Sequence, residues 1–368
     1  MRLMLVTQSL RPFGSGQDVA VWRLVQALAS HPAVRLTVVT AVADKATLPS
    51  GIRLIRLPTL PVWHGSLRFL TFLLVWWIAR RWLRRGMDYV LLDSPLYGGG
   101  DAALLHFLSS RWYPRLAAVS GLAGRIRYVD ERWRHWIAMT LERCVLHPSR
   151  AVFLFPVSTS LARDLIRKHG ISPDRMHVVP NASDPYRFVP AESPPNKEST
   201  RILFVGGAWH RKRLDRAILA IVPLADDVVL DVVGAGPVSR WMAFAERAGV
   251  GHRVIFHGLQ RDVVPFYQRA SVVLIPSDYE TDGLVGWEAL CCAVPVVATP
   301  SAAAGGWLVN GVTGIVAETV PDMTRAVRQL LANSDRCCRM GRVGRWLACR
   351  RAPDRVAARL LARIRLHT

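Results

Sequence analysis

Ser271-Val-Val-Leu-Ile-Pro-Ser277 runs directly into Asp278-Tyr-Glu-Thr-Asp-Gly-Leu-Val-Gly-Trp-Glu-Ala-Leu290, and Pro295-Val-Val-Ala-Thr299 follows. The order is a β-branched strand, a turn carrying Gly283, a helix entrance and a second strand. In an open α/β sheet this is where ligand phosphates collect, because the first helical amides are unpaired and the helix dipole is positive there. Glu280 and Glu288 stand eight positions apart around Gly283. One carboxylate falls in the turn and the other about a turn and a half inside the helix, so both can address one polar ligand.

The same alternation extends outward on both sides. Upstream, strand Arg201–Val205 leads through Gly206–Arg213 to helix Leu214–Val222. Strand Val228–Val233 then passes Gly234-Ala-Gly-Pro237 into helix Val238–Ala248. Strand Val254–His257, helix Val263–Arg269 and strand Val272–Ile275 bring the chain to the opening stretch. Strand Val296–Ala298 and two Arg-rich helical segments follow. An earlier series runs through strand Arg2–Thr7, a loop with Gly14 and Gly16, and a helix from Asp18 to Ser30. It continues with strands Arg35–Thr40 and Ile52–Leu57, helix Leu67–Arg85, and strands Tyr89–Leu92 and Val152–Val157. Strands alternating with helices imply parallel sheets with crossover helices. The reading is α/β: two Rossmann-like domains facing each other across a cleft, one spanning 1–188 and the other 201–348. The polar, Pro-rich passage 189–200 is the linker, and 349–368 is a C-terminal helix that packs back on the first domain.

Composition narrows the classes of function. With 368 residues, 51% hydrophobic and 20% charged, the chain has the makeup of a two-domain globular protein. Of its 48 basic residues only four are lysines (Lys45, Lys168, Lys197, Lys212), and the net charge is +21. Such a surface attracts anions: phosphorylated small molecules, anionic lipid headgroups or nucleic acid. No zinc finger, helix-turn-helix or RNA-binding aromatic motif is present, so nucleic acid is not expected. The six cysteines form no C-x-x-C and read as reduced thiols. No metal motif and no G-x-S-x-G elbow occurs, and no metal or other cofactor is expected. No stretch resembles a cleavable signal peptide, and the expected location is cytoplasmic, at the inner face of the membrane.

Four further motifs bear on function. Arg11-Pro-Phe-Gly-Ser-Gly-Gln17 lets backbone approach a ligand at Gly14 and Gly16 or is only a tight turn. It lacks G-x-G-x-x-G, which disfavours a nicotinamide enzyme. Gly206-Gly-Ala-Trp-His-Arg-Lys-Arg213 sets Gly207, Arg211 and Lys212 beside a helix start, a place for a diphosphate or a solvated basic turn. His106, between apolar neighbours, is either a satisfied core residue or a polar group aimed into the cleft. In 67–85, Trp76, Trp77 and Trp82 beside Arg80, Arg81, Arg84 and Arg85 suit an interfacial helix on an anionic membrane, or a crossover helix with a basic end. Its charge-free run, Phe69 to Ala79, is too short to span a bilayer.

Taken together, these residues resemble the retaining nucleotide-sugar glycosyltransferases of family 4, which have the GT-B architecture. The resemblance rests on Phe204-Val-Gly-Gly207 with Lys212, Val233-Gly-Ala-Gly-Pro237, Val254-Ile-Phe-His-Gly258, Glu280-x7-Glu288 with Ala289, and Pro295-Val-Val-Ala-Thr299. Asn310-Gly-Val-Thr-Gly314, Pro156-Val-Ser158, Gly170-Ile-Ser-Pro-Asp174 and Val179-Pro-Asn181 extend it, while residues 60–150 match loosely. It implies an acceptor-binding first domain and a donor-binding second domain. Lys212 would hold the donor diphosphate, with Gly207, Arg211 and Gly234 around it. The amides of Gly283, Leu284 and Val285 would take the phosphate charge, Glu288 the ribose hydroxyls and Glu280 the donor sugar. With Glu280 and His106 as the catalytic pair, a sugar would pass from a nucleotide diphosphate to a hydroxyl with retention and without metal. The acceptor would be a saccharide, lipid-linked or a surface-polysaccharide precursor.

Three departures stand out. Gly207 occupies a position where the family often has Arg, leaving Arg211 or Arg213 to compensate. Glu280-Thr-Asp-Gly283 replaces Glu-Gly-Phe-Gly, which adds Asp282 beside the expected sugar pocket. Gly306 and Trp307 stand near a usual acidic position. The competing readings are a sugar-nucleotide epimerase of the same architecture, a catalytically silent membrane-associated scaffold, and a nucleic-acid binder.

Overall fold

The apolar runs that signal strands in the sequence assemble into two six-stranded parallel sheets. The structure, a computed structural model, describes residues 1–44, 47–60, 65–109, 122–147, 152–192 and 200–366. Most of the expected linker, residues 193–199, lies outside them, as do Lys45 and Lys197. The chain divides into two compact units, residues 1–182 with 353–368, and residues 183–352.

The first unit is built from β1 (Arg2–Leu10), α1 (Gly16–Ala29), β2 (Arg35–Ala43), β3 (Arg53–Arg56), α2 (Gly65–Leu83), β4 (Tyr89–Leu92), β5 (Ala102–Leu105), α3 (Leu122–Val145), β6 (Phe153–Pro156) and α4 (Thr159–His169). Its sheet runs β3-β2-β1-β4-β5-β6. Leu3, Met4, Leu5 and Val6 of β1 are wholly buried. That follows from a central parallel strand covered on both faces. Ser15 and Asp18 form a reciprocal capping box that starts α1.

The second unit comprises β7 (Thr200–Val205), α5 (Leu214–Ile221), β8 (Val228–Val233), α6 (Val238–Arg247), β9 (Val254–Gly258), α7 (Val264–Arg269), β10 (Val272–Ile275), α8 (Leu284–Cys291), β11 (Val296–Ala298), β12 (Gly314–Val316), α9 (Val320–Leu331) and α10 (Ser334–Cys349). Its sheet runs β12-β11-β10-β7-β8-β9. The closing helix, α11 (Pro353–Arg365), belongs to the first unit and buries Val356, Leu360 and Ile364 in the same core as Val21, Val25 and Leu28 of α1.

The units meet the chain at Ala182/Ser183 and Ala352/Pro353, where the sequence placed the boundaries at 188 and 348. Phe188 explains the first difference: it is buried in the second core, edge-on to Tyr267 at 5.7 Å. The C-terminal part holds three helices, α9 to α11, where two segments were expected. β5, β12, α3 and α4 were not foreseen.

In each sheet the chain winds outward in both directions from a central pair, β1/β4 in the first and β7/β10 in the second. Loops leaving the carboxyl ends of such a pair diverge and leave a crevice between them. Both groups of candidate residues lie there.

Candidate active site

In the second unit, the loop after β7 meets the loop after β10. Lys212 Nζ lies 3.0 Å from Glu280 Oε1, and Arg211 Nη1 lies 3.5 Å from the same oxygen while donating to the Tyr279 carbonyl at 2.7 Å. Ser277 Oγ donates to Glu280 Oε1 at 3.1 Å. Burial pushes the Glu280 carboxyl up, but the charges of Lys212 and Arg211 and the Lys212 and Ser277 hydrogen bonds outweigh it and hold it below the ordinary glutamate value. A concentrated basic pair thus stands against one ionised carboxylate at the sheet's switch point.

Glycine makes this approach possible. Gly206 has φ +128°, and a Cβ there would lie 2.5 Å from Lys212 Cε. Gly234, φ +136°, packs directly on the Gly206 backbone with no space for a side chain. Gly207 sits beside the Ala235 carbonyl, 3.4 Å from where its Cβ would be. The loops after β7 and β8 are therefore pressed together next to Lys212.

Gly283 caps α8 in the left-handed conformation, φ 68° and ψ 67°. A Cβ there would come within 2.7 Å of the Trp307 indole nitrogen. Leu284 and Val285 form the first turn of α8, whose amides have no intrahelical acceptor. Glu288, one turn further, is buried, and Tyr267 of α7 donates its hydroxyl to Oε2 at 2.9 Å. The structure thus gathers Arg211, Lys212 and Glu280, and gives Glu288 a separate support. Ser277 and Tyr267 were missed in the sequence. Ser277 adjoins the opening stretch, whereas nothing in the spacing of Tyr267 marks it.

Two residues noted as departures in the sequence have partners here. Asp282 is fully buried, with Arg351 Nη1 donating to its Oδ1 at 3.0 Å and Trp287 Nε1 lying 3.4 Å from the same oxygen. Arg213 is turned to Asp215 and Asp278, which take its guanidinium at 2.7 and 3.1 Å. Arg211 is the arginine that reaches Glu280.

The first unit gathers its own polar set at the ends of β1, β4 and β5. Thr7 Oγ1 and Gln17 Nε2 both donate to Asp93 Oδ2 at 2.9 Å. His106 Nε2 makes an ion-pair contact with Asp93 Oδ1 at 2.9 Å, and neither ring nitrogen makes a hydrogen bond among the described residues. His106 lines a small pocket with Gln17, Ser94, Ser109 and Glu142. Glu142 Oε2 accepts the Ser109 amide at 2.5 Å. Gly14 has φ +146° and packs against Asp18 of the α1 capping box, and Gly16 is the first residue of α1. These two glycines shape the helix start that delivers Gln17. Asp93 and Gln17 were not singled out from sequence, since their pairing spans 76 positions.

On α2, Phe72 and Trp76 are buried in the first core, and Trp76 Nε1 donates to the Gly98 carbonyl at 3.0 Å. Trp76 is thus a packing residue and not an interfacial one. The opposite stripe, Leu67, Leu70, Leu74, Trp77, Ile78 and Trp82, is exposed, with Arg80 and Arg85 stacked over Trp77 and Trp82. Among the described residues no helix is long and apolar enough to cross a membrane, and no group of three or more His, Cys, Asp or Glu is arranged to hold a metal ion.

Comparison with known proteins places these features. Residues 15–182 match the model of a glycosyl transferase 4-like domain, and residues 199–333 that of glycosyl transferases group 1. The chain is 32% identical over 225 residues to the D-inositol 3-phosphate glycosyltransferase of Xylanimonas cellulosilytica, covering 54% of this chain and 53% of that protein. The match therefore spans about half the length of that relative. Over 97% of this chain and 98% of the other, the structure superposes with TM-score 0.76 and 21% identity on WaaG, a glycosyltransferase involved in lipopolysaccharide biosynthesis. It superposes with TM-score 0.75 and 17% identity on Anabaena Alr3699/HepE in complex with UDP and glucose, over 99% of both chains. These likenesses establish the GT-B fold.

Proposed function

We propose that this chain, composed of a glycosyl transferase 4-like domain and a glycosyl transferases group 1 domain, moves a sugar from a nucleotide diphosphate to a hydroxyl acceptor with retention. The observation that carries the reading is the Lys212–Glu280 contact at the β7/β10 switch point, beside two glycine-opened loops.

In this reading Lys212 and Arg211 take the diphosphate, and the first amides of α8 take the remaining phosphate charge. Fixed positive charge then stabilises the departing diphosphate, and no metal is needed. Glu280, ionised and held toward Lys212, contacts the sugar hydroxyls. Glu288, braced by Tyr267, receives the ribose. The acceptor oxygen bonds to the anomeric carbon on the face from which the diphosphate leaves. Its proton passes to the departing phosphate oxygen, and no protein nucleophile is required. His106, set against Asp93 at 2.9 Å, orients hydroxyls in the first unit. The UDP bound by the HepE structure makes UDP-sugars the first donors to examine.

The acceptor is a saccharide carried on a lipid, and the exposed tryptophans and arginines of α2 hold the protein at an anionic membrane surface. Incubation with donor and a lipid-linked saccharide extract, followed by NMR of the product, tests the reaction. The expected product keeps the donor's anomeric configuration. An inverted linkage would refute retention, and an epimerised donor formed without acceptor would favour the epimerase.

A further inference from the structure

The loop from Glu280 to Gly283 holds a buried charge. Asp282 is fully buried, and an ionised carboxylate in that position is costly unless paired and hydrogen-bonded. Arg351 supplies the pair at 3.0 Å, and its guanidinium lies 4.0 Å over the Trp287 ring of α8. Arg351 is itself anchored. Its amide donates to the Ala348 carbonyl at 2.9 Å, and its carbonyl accepts the Ser183 amide at 3.0 Å. Ser183 Oγ donates to Ala348 O at 2.7 Å. On the other side, the Asp282 carbonyl is packed against Gly305, where no side chain fits.

We propose that Arg351 is a positioning residue for the donor site: by gripping Asp282 from the end of α10, it sets both Glu280 and the start of α8. Asp282 lies two residues after Glu280 and one before Gly283, so a displacement of its side chain moves the carboxylate that meets Lys212 and the cap of the helix together. The planar guanidinium can bond Asp282 and stack on Trp287 at once, which an ammonium cannot do. Both residues are buried. The inference rests on the donor-site reading for its binding measurement but not for its exchange measurement.

Three variants separate positioning from charge neutralisation: Arg351→Met, Arg351→Lys, and the uncharged pair Asp282→Asn/Arg351→Met. Each is compared with wild type for Tm, for hydrogen exchange of residues 278–288 without ligand, and for binding of UDP, GDP, ADP and TDP in EDTA. Arg351→Met is expected to lose Tm, because it takes the guanidinium away from the buried carboxylate. The double variant should regain most of the Tm, yet exchange faster across 278–288 and bind nucleotide on the order of tenfold more weakly, as a loosened site does. Arg351→Lys should fall between. If Arg351→Met does not fold, the double variant and Arg351→Lys carry the test. Wild-type exchange and wild-type affinity in the double variant would overturn the proposal and leave Arg351 as a neutralising charge only. Wild-type protein that binds no nucleotide would count against the proposed function, and the exchange comparison would still decide the role of Arg351.

Discussion

Lys212 is one of four lysines in an arginine-rich chain, and the structure sets it against Glu280 across the sheet's switch point. Replacing it with Ala removes a contact to a charged partner and should weaken nucleotide-sugar binding by about 1–3 kcal/mol in calorimetry. The substitution also has a pH signature. With Lys212 present, Glu280 titrates below its ordinary value, so the pair contributes stability above the unfolded glutamate pKa of about 4.3 and loses it as pH falls through the lowered folded value. The gap in unfolding free energy between wild type and Lys212→Ala should therefore be widest near neutral pH and close in acid. A gap that is constant with pH would mean the two side chains do not interact in solution. At this scale the sequence disclosed the participants but not their pairings. Lys212 and Glu280 are 68 positions apart, and only the sheet order brings their loops together. Asp282 shows the same limit: its partner Arg351 lies 69 positions away, where no local spacing reveals it.

At the scale of elements, α8 depends on small residues where its start meets Trp307. Gly286 carries no Cβ because the buried Trp307 ring occupies that space, and Gly283 is pressed by the same indole. Gly286→Val should cost about 1–3 kcal/mol in urea unfolding, from overpacking a filled site. Wild-type stability would show that Trp307 can move aside. Several strands of the second unit's sheet were plain in sequence: Val228–Val233, Val272–Ile275 and Val296–Ala298 are runs rich in β-branched residues that the structure reproduces. β5 was not, because Ala102-Ala-Leu-Leu105 has no β-branched residue, and neither was β12, whose three residues open on Gly314. α3 escaped for another reason. Its arginines interrupt the apolar spacing that would announce a helix.

For the whole molecule, the proposed membrane contact draws on the net charge of +21 and the apolar stripe on α2. Trp77 and Trp82 are 61% and 68% exposed, an uncommon position for the largest apolar side chains. The protein should sediment with anionic vesicles at low salt and release as ionic strength rises. Trp77→Glu/Trp82→Glu should abolish sedimentation with no loss of Tm, since both side chains lie outside the core. Equal sedimentation of this variant would assign the attraction to net charge alone. The two parallel α/β sheets were legible from the alternation of strands and helices, because parallel sheets demand crossover helices, and the GT-B architecture came from the family resemblance. The division of the chain was less so, since Phe188 and α11 join their units through burial that no linker composition reveals.

The most direct test of the account is binding of UDP-, GDP-, ADP- and TDP-sugars to the folded protein in EDTA, with Glu288→Ala measured beside wild type. The account predicts that one nucleotide class binds without metal and that Glu288→Ala weakens it by about 1–3 kcal/mol. Binding that requires a divalent cation, or that is unchanged in Glu288→Ala, would contradict it.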